Sequence, residues 1–286
     1  MSAPNIRIFL IRHGLSEANM DKTVNARKPD HAVELAGDVT SDDPEENGHA
    51  QAFLAGKALV DLLLDHNPAN EQVRSLIGDN PQKRRVRLLV SPYTRTRQTA
   101  EGIKKALADE DIVFDEREVM ELREISFGLY DGIEDDLLAE RFPAEHAHYQ
   151  KHVEFEGELF APMPMGESRI AVGDRVKSVF GTILRDAQPR ERDDLEKALG
   201  QESLSNGPIL DFVIVSHGVT IRQFVHRWMH YPWEWVEKEP NPANCSIQLI
   251  ERATGGGYTH CHLYDGFRHL RGHEKQERRE DGHALD

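Results

Sequence analysis

Two short stretches limit how this chain can fold: Ile8-Phe-Leu-Ile-Arg12-His13-Gly14 near the start and Phe212-Val-Ile-Val-Ser216-His217-Gly218 far along the chain. Each is a four-residue apolar run that ends in a polar residue and then His-Gly. A strand buried on both faces reads this way, and the glycine lets the backbone turn sharply close to a ligand. In open α/β sheets, ligands sit outside the carboxyl ends of parallel strands. Two such strands deliver two imidazoles to one rim. With 15 histidines and 21 glycines in 286 residues, about one His-Gly pair arises by chance, so the strand context carries the weight.

The chain of 286 residues fits one large or two modest domains. Its hydrophobic content of 38% supports a sizeable core, and 30% charged residues imply a well-solvated surface. The net charge of −15, from 35 basic and 50 acidic residues, argues against nucleic acid or an anionic membrane as a partner. An anionic substrate must then be drawn by a local positive pocket. Apolar runs stop at about four residues, far below the ~20 that span a bilayer. Residues 1–11 lack the pattern of a signal peptide. The two cysteines, Cys245 and Cys261, fall in strand-like segments and read as small buried hydrophobes in a reducing compartment. The expected location is cytoplasmic.

Strands and helices alternate along most of the chain. Strands are expected over 6–11, 86–90, 112–114, 212–215, 245–250 and 258–264, and helices over 45–65, 91–108, 168–186 and 219–229. Ser91-Pro92 reads as N-cap and first helical residue. Gly255-Gly256-Gly257 reads as a hairpin turn rather than a phosphate cradle. This order predicts a three-layer α/β/α sandwich around a mostly parallel sheet. A single domain is expected over 1–268, with an acidic insert at 134–165 and a charged excursion at 187–208. Residues 269–286 read as a polar, frayed tail.

Four elements bring polar groups to the carboxyl edge of such a sheet: Arg12-His13, the start of the helix carrying Arg95, the segment 121–132, and His217. Guanidinium groups bind phosphate bidentately, and the helix opening after His217 adds free N–H groups and a positive dipole end. These groups describe a phosphate site that contains a nucleophile.

The chain resembles the histidine phosphatase superfamily, the group of the cofactor-dependent phosphoglycerate mutases and many phosphatases. The matching motifs are Leu10-Ile-Arg-His-Gly-Leu-Ser-Glu-Ala-Asn19, Val90-Ser-Pro-Tyr-Thr-Arg-Thr-Arg-Gln-Thr-Ala100, Leu122-Arg-Glu124 and Val215-Ser-His-Gly218. Gly48-His-Ala-Gln51-Ala and Gly166-Glu-Ser168 fit as well. The resemblance implies a phosphoglycerate mutase-like fold and a phosphohistidine formed on His13. It also implies phosphate contacts from Arg12, Asn19, Arg95, His217 and Gly218, a pocket shaped in part by Ser16, and Glu124 as general acid and base. His13 must be neutral to attack, so its other ring nitrogen should donate to an acceptor that fixes the tautomer. Glu124 needs a raised pKa to act as an acid near neutrality. Glu121 shares its chemistry, but the Leu-x-Glu match and the nearby Phe127-Gly128 favour Glu124. Arg97, about 200° around the helix from Arg95, reads as a surface residue, and Arg123 as solvated.

No metal or other cofactor is implied; His146, His148 and His152 match no standard metal spacing. The mutases of the family carry Glu and Trp where Leu15 and Ala18 stand here, and a basic patch downstream. In this chain residues 132–157 are acidic, with only Arg141 and Lys151 positive. These departures favour a phosphatase acting on a phosphorylated small molecule. A mutase and a non-catalytic binder of phosphorylated ligands are the alternatives, and a homodimer is the open oligomeric reading. The pocket rim is expected from 134–165 and 231–235, and Tyr149, Phe155 and Phe160 are candidate substrate contacts, with core or lid packing as the competing reading.

Overall fold

A computed structural model describes residues 6–64, 85–110, 112–188, 209–253 and 256–267. The elements follow in the order β1 (Arg7–Arg12), α1 (Glu17–Met20), α2 (Gly48–Leu64), β2 (Arg85–Val90), α3 (Thr94–Asp109) and β3 (Val113–Glu118). Then come α4 (Leu138–Arg141), α5 (Pro143–Glu156), α6 (Arg169–Asp186), β4 (Asp211–Ser216), α7 (Gly218–Met229), α8 (Trp233–Lys238), β5 (Ile247–Arg252) and β6 (Tyr258–Tyr264). The expected excursion at 187–208 and the tail at 269–286 lie almost wholly outside the described residues.

The six strands form one sheet in the order β3-β2-β4-β1-β5-β6. Neighbours among β1 to β4 run parallel, and β5 and β6 add an antiparallel edge. The apolar runs of β1 and β4 are continuous because each faces a helical layer on both sides. Ile8, Leu10, Phe212 and Ile214 pack into one core with Val172, Val176, Val179, Ile183, Ile221 and Phe224 of α6 and α7. Phe9, Ile11, Val213 and Val215 point the other way, onto Leu59, Leu63, Ala100, Ile103 and Leu107 of α2 and α3. The strand period of two thus feeds two cores from each run, and the three-layer sandwich follows.

Several elements depart from the expected boundaries. Helix α3 begins at Thr94, not at Ser91, and its N-cap Tyr93 makes no side-chain cap. The Ser91 hydroxyl is engaged elsewhere, 2.8 Å from His217 Nε2. β3 continues to Glu118 through Asp115, Glu116 and Arg117, because an edge strand next to β2 alone can keep charged side chains solvated. Cys245 precedes β5, in a left-handed conformation with φ 56°, and its N–H donates to Arg12 O at 3.1 Å. It is buried all the same, as expected of its chemistry. The expected hairpin joins β5 to β6, closed by Ala253 N–H donating to Gly257 O at 3.1 Å. The insert folds into α4 and α5 around Tyr130, Leu138, Tyr149 and Ala161.

Candidate active site

Three adjacent parallel strands, β1, β4 and β2, end at one level. Arg12 is in register with Ser216 and Val90 with Val215. His13 N–H then donates to Ser216 O, and Ser91 N–H to Val215 O, each at 3.0 Å. Arg12-His13, Ser91 and His217 therefore leave the sheet side by side, where the sequence placed a ligand rim.

The turn after His13 is held by a close crossing of backbones. A Cβ on Gly14 would sit 2.5 Å from the carbonyl oxygen of Gly48, and one on Gly48 would collide with the carbonyl of Leu15. Gly14 N–H donates to Thr99 Oγ1 (3.0 Å) and Leu15 N–H to Gln51 Oε1 (2.8 Å). The glycine and glutamine of the Gly48-to-Ala52 motif thus fix the loop that follows the first histidine.

His13 Nδ1 lies 2.8 Å from Gly14 O. A carbonyl can only accept, so the proton is on Nδ1 and the lone pair is on Nε2. Burial, with Arg95 and Arg12 adding to it, holds the His13 pKa well below the usual imidazole value. The His217 ring sits 5.3 Å from that of His13, centroid to centroid, and 5.0 Å from Tyr93. Burial and the same two arginines keep it neutral as well. Its Nδ1 is buried with no hydrogen-bond partner among the described residues. Such a group is costly unless something pairs with it. Tyr93, pushed up to about 12 by burial, stays a phenol.

Arg12 Nη1 donates to Pro242 O at 2.8 Å. Arg95, on α3, is buried and forked onto Asp30: Nη1 reaches Oδ1 at 2.8 Å and Nη2 reaches Oδ2 at 3.2 Å. Ser16 caps α1 and forms a reciprocal capping box with Asn19. Asn19 Oδ1 also accepts from Asn244 Nδ2 (3.1 Å), whose amide donates to His13 O as well (3.0 Å). Gly218 opens α7, and a Cβ there would meet the Asn241 side chain, with Oδ1 at 2.8 Å, so a larger residue would have to displace that amide.

Glu124 stands on the segment after β3, partly buried, with Oε1 accepting from Ile125 N–H at 2.9 Å and from Thr220 Oγ1 at 3.3 Å. Burial raises its pKa; the Ile125 N–H, Arg95 and Arg12 pull the other way without cancelling it. Ser216 Oγ donates to Leu122 O and Thr220 Oγ1 to Arg123 O, both at 2.7 Å, tying this segment to β4 and α7. Arg175 Nη2 donates to Glu124 O (3.0 Å) and Arg175 Nε to Glu167 Oε1 (3.0 Å). Glu167 also accepts from Arg123 (2.8 Å) and from Ser126 N–H (3.1 Å). The expectation that Arg123 is solvated is corrected: it is part of this clamp. Arg97 pairs with Glu118 on the surface.

Every residue expected at the site lies on one of these converging elements. The sequence reading missed Asp30, Ser91, Arg175 and Asn244 as its supports. The Gly166-Glu-Ser168 motif was the one signal for Glu167. In the insert, Tyr149 is buried in its own small cluster, and Phe155 is 89% exposed. His148 and His152 meet edge to face on α5, their ring centres 4.7 Å apart, with His152 Nδ1 3.5 Å from Glu156. No helix among the described residues is long and apolar enough to cross a membrane.

Sheet order, paired histidines and the neighbouring arginines define an open α/β protein with a cationic, histidine-bearing site at the carboxyl ends of its parallel strands. The family model of the histidine phosphatase superfamily (branch 1) matches residues 8–263, and the chain belongs to that family. It is 32% identical to phosphoglycerate mutase-like protein AT74 of Arabidopsis thaliana over 88% of this chain and 67% of that one. It is 26% identical to the broad-range acid phosphatase DET1 of Saccharomyces cerevisiae, over 85% and 84% of the two chains. Among solved structures, a putative alpha-ribazole-5'-P phosphatase from Escherichia coli superimposes with a TM-score of 0.53 at 17% identity, over 91% of this chain and 96% of that one. Mycobacterial glucosyl-3-phosphoglycerate phosphatase does so at 0.52 and 16%, over 90% and 96%. At that identity these two establish the shared fold.

Proposed function

We propose that the chain is a phosphatase that hydrolyses a phosphomonoester of a small molecule through a phosphohistidine on His13. The observation that carries this reading is the state of His13: neutral, its Nδ1–H held by Gly14 O, its Nε2 lone pair free, beside His217 and among two arginines.

In the first step Nε2 attacks phosphorus and the phosphorus–ester oxygen bond breaks, while Glu124 gives its proton to the departing alkoxide. In the second, the Glu124 carboxylate takes a proton from water, the water oxygen attacks phosphorus and the P–N bond breaks. Phosphate leaves, and both residues return to their starting states. Ser91 can donate its hydroxyl proton to His217 Nε2, which puts the His217 proton on the unpartnered Nδ1, ready for a phosphoryl oxygen. Arg12, Arg95, Asn19 and the N–H of Gly218 supply the remaining donors, and Ser16 holds Asn19. Fixed donors aimed at spreading charge are the main source of rate in phosphoryl transfer.

A mutase is the second reading, favoured by the name of the Arabidopsis relative. Against it, the insert that would meet the rest of the substrate holds Glu134, Asp135, Asp136, Glu140 and Glu145 against Arg141 and Lys151. A triply charged phosphoglycerate is poorly matched to such a rim. Hydrolysis of a generic phosphomonoester, run beside conversion of 3-phosphoglycerate to 2-phosphoglycerate with a bisphosphate primer, separates the readings. The phosphatase reading expects the first and not the second. Neither activity leaves the non-catalytic binder.

A further inference from the structure

Asp30 lies between the strand expected over 6–11 and the helix expected over 45–65, where the sequence predicts no regular element. In the fold its 3-10 turn, Asp30–Ala32, is laid against the start of α3. Arg95 N–H donates to Val33 O at 3.1 Å, Thr94 Oγ1 to His31 O at 3.1 Å, and Leu35 N–H donates to Gln98 Oε1 at 2.7 Å. The turn is thereby fixed relative to the helix that carries Arg95.

The bonds between the two side chains use particular edges of the guanidinium. Both hydrogens of Nη1 are taken, by the Asp30 backbone carbonyl at 2.7 Å and by Oδ1 at 2.8 Å. One hydrogen of Nη2 goes to Oδ2 at 3.2 Å. A guanidinium carries five N–H bonds in a rigid plane. With the end fork filled, what remains is Nε–H and the outer Nη2–H, parallel on the side edge. That pair matches two oxygens of a phosphoryl group as well as the end fork would. The plane is braced from one face by Tyr93, whose ring centre lies 5.1 Å from Cζ. Both partners are largely buried, with side chains 6% and 17% exposed.

We propose that Asp30 is a positioning residue: it occupies the end of the Arg95 guanidinium so that the side edge, with its two parallel N–H bonds, is the one presented to the transferring phosphoryl group. The role rests on the functional reading above. It has a second, electrostatic consequence. The charged or titratable groups facing Glu124 are Arg95, Arg12, Asp30 and Tyr93, with Arg123 beside it in the chain and Arg175 on its carbonyl oxygen. Asp30 offsets the arginines and helps keep Glu124 protonated. Removing that charge strengthens the pull of Arg95 and Arg12, so Glu124 ionises at lower pH and the alkaline fall in kcat moves with it.

The test uses the full chain and glycerol 2-phosphate, an alkyl ester whose leaving group needs the Glu124 proton, with Asp30→Asn and Asp30→Glu made in the wild type and Asp30→Asn also in Arg95→Lys. Asp30→Asn is expected to lose about 10- to 100-fold in kcat, the scale of a misplaced catalytic group, with KM changed less than about threefold and the alkaline limb at lower pH. Asp30→Glu keeps the charge; it recovers part of the rate and leaves the limb in place, and it carries the test if the asparagine variant does not fold. In Arg95→Lys, where no fork remains, Asp30→Asn costs less than about threefold because the two changes act through one group. Equal losses in both backgrounds, or an asparagine variant with the kcat and pH profile of an active wild type, overturn the proposal alone. A wild type that hydrolyses no phosphomonoester overturns the functional reading and this proposal with it.

Discussion

His13 and Glu124 occupy opposite ends of the same electrostatic problem. The two arginines that disfavour a proton on His13 also disfavour one on Glu124, yet Glu124 keeps a raised pKa because burial outweighs them. One site can therefore favour a neutral nucleophile and, beside it, the protonated form of an acid. His13→Ala is expected to abolish turnover with the fold intact; full activity in the purified variant would remove His13 as nucleophile. Glu124→Gln should slow alkyl phosphates far more than aryl phosphates, whose leaving groups need little protonation. Equal slowing of both, measured as kcat, would argue against an acid role. The same substitution should also stabilise the fold near neutrality. A carboxyl whose folded pKa is raised loses stability as pH climbs from its unfolded value, ~4.3, through the folded one, and a neutral glutamine escapes that cost. Melting temperatures of the two chains should converge in acid and separate above it.

At the scale of elements, the site depends on how the segment around Glu124 and the loop after His13 are pinned. Glu167 gathers Arg123, Arg175 and the Ser126 N–H, so Glu167→Ala should release the segment and lower kcat for alkyl phosphates about tenfold or more. Binding of inorganic phosphate, made by other elements, should change much less; a parallel loss of both would place Glu167 elsewhere in the account. Gly48→Ala forces apart the crossing with Leu15 and is expected to cost about 1–3 kcal/mol, read from urea midpoints. The apolar runs of β1 and β4 and the motifs around them were readable because burial on two faces leaves no room for polar residues. Ser91 was misread because a serine before proline suits an N-cap, while its hydroxyl is in fact bound to His217, which follows β4, a strand far away in the sequence. Asp30 and Arg175 left no local trace at all. Their meaning comes only from what lies across the fold from them.

For the molecule as a whole, two imidazoles buried in the neutral state make stability depend on pH. Unfolded histidines take up protons near ~6.5, whereas folded His13 and His217 resist them. The unfolded state then binds more protons as pH falls, and stability declines below that value. Urea midpoints at pH 7.5 and 5.5 should show the decline, and His13→Gln with His217→Gln should flatten it; an unaltered slope would contradict buried neutral rings. The architecture was legible in the alternation of strands and helices, and the spaced motifs pointed to elements that the fold places at one sheet edge. What the rest of the substrate is was not, because α4 and α5 close on an apolar cluster of their own, and packing residues of that kind name no ligand. The central claim is a covalent P–N bond at His13. Quenching the chain during turnover of a ³²P-labelled phosphomonoester, followed by peptide mapping, tests it directly. The account predicts an acid-labile, alkali-stable label on the peptide carrying His13; a chain that turns over with no such label, or with the label on another residue, would contradict it.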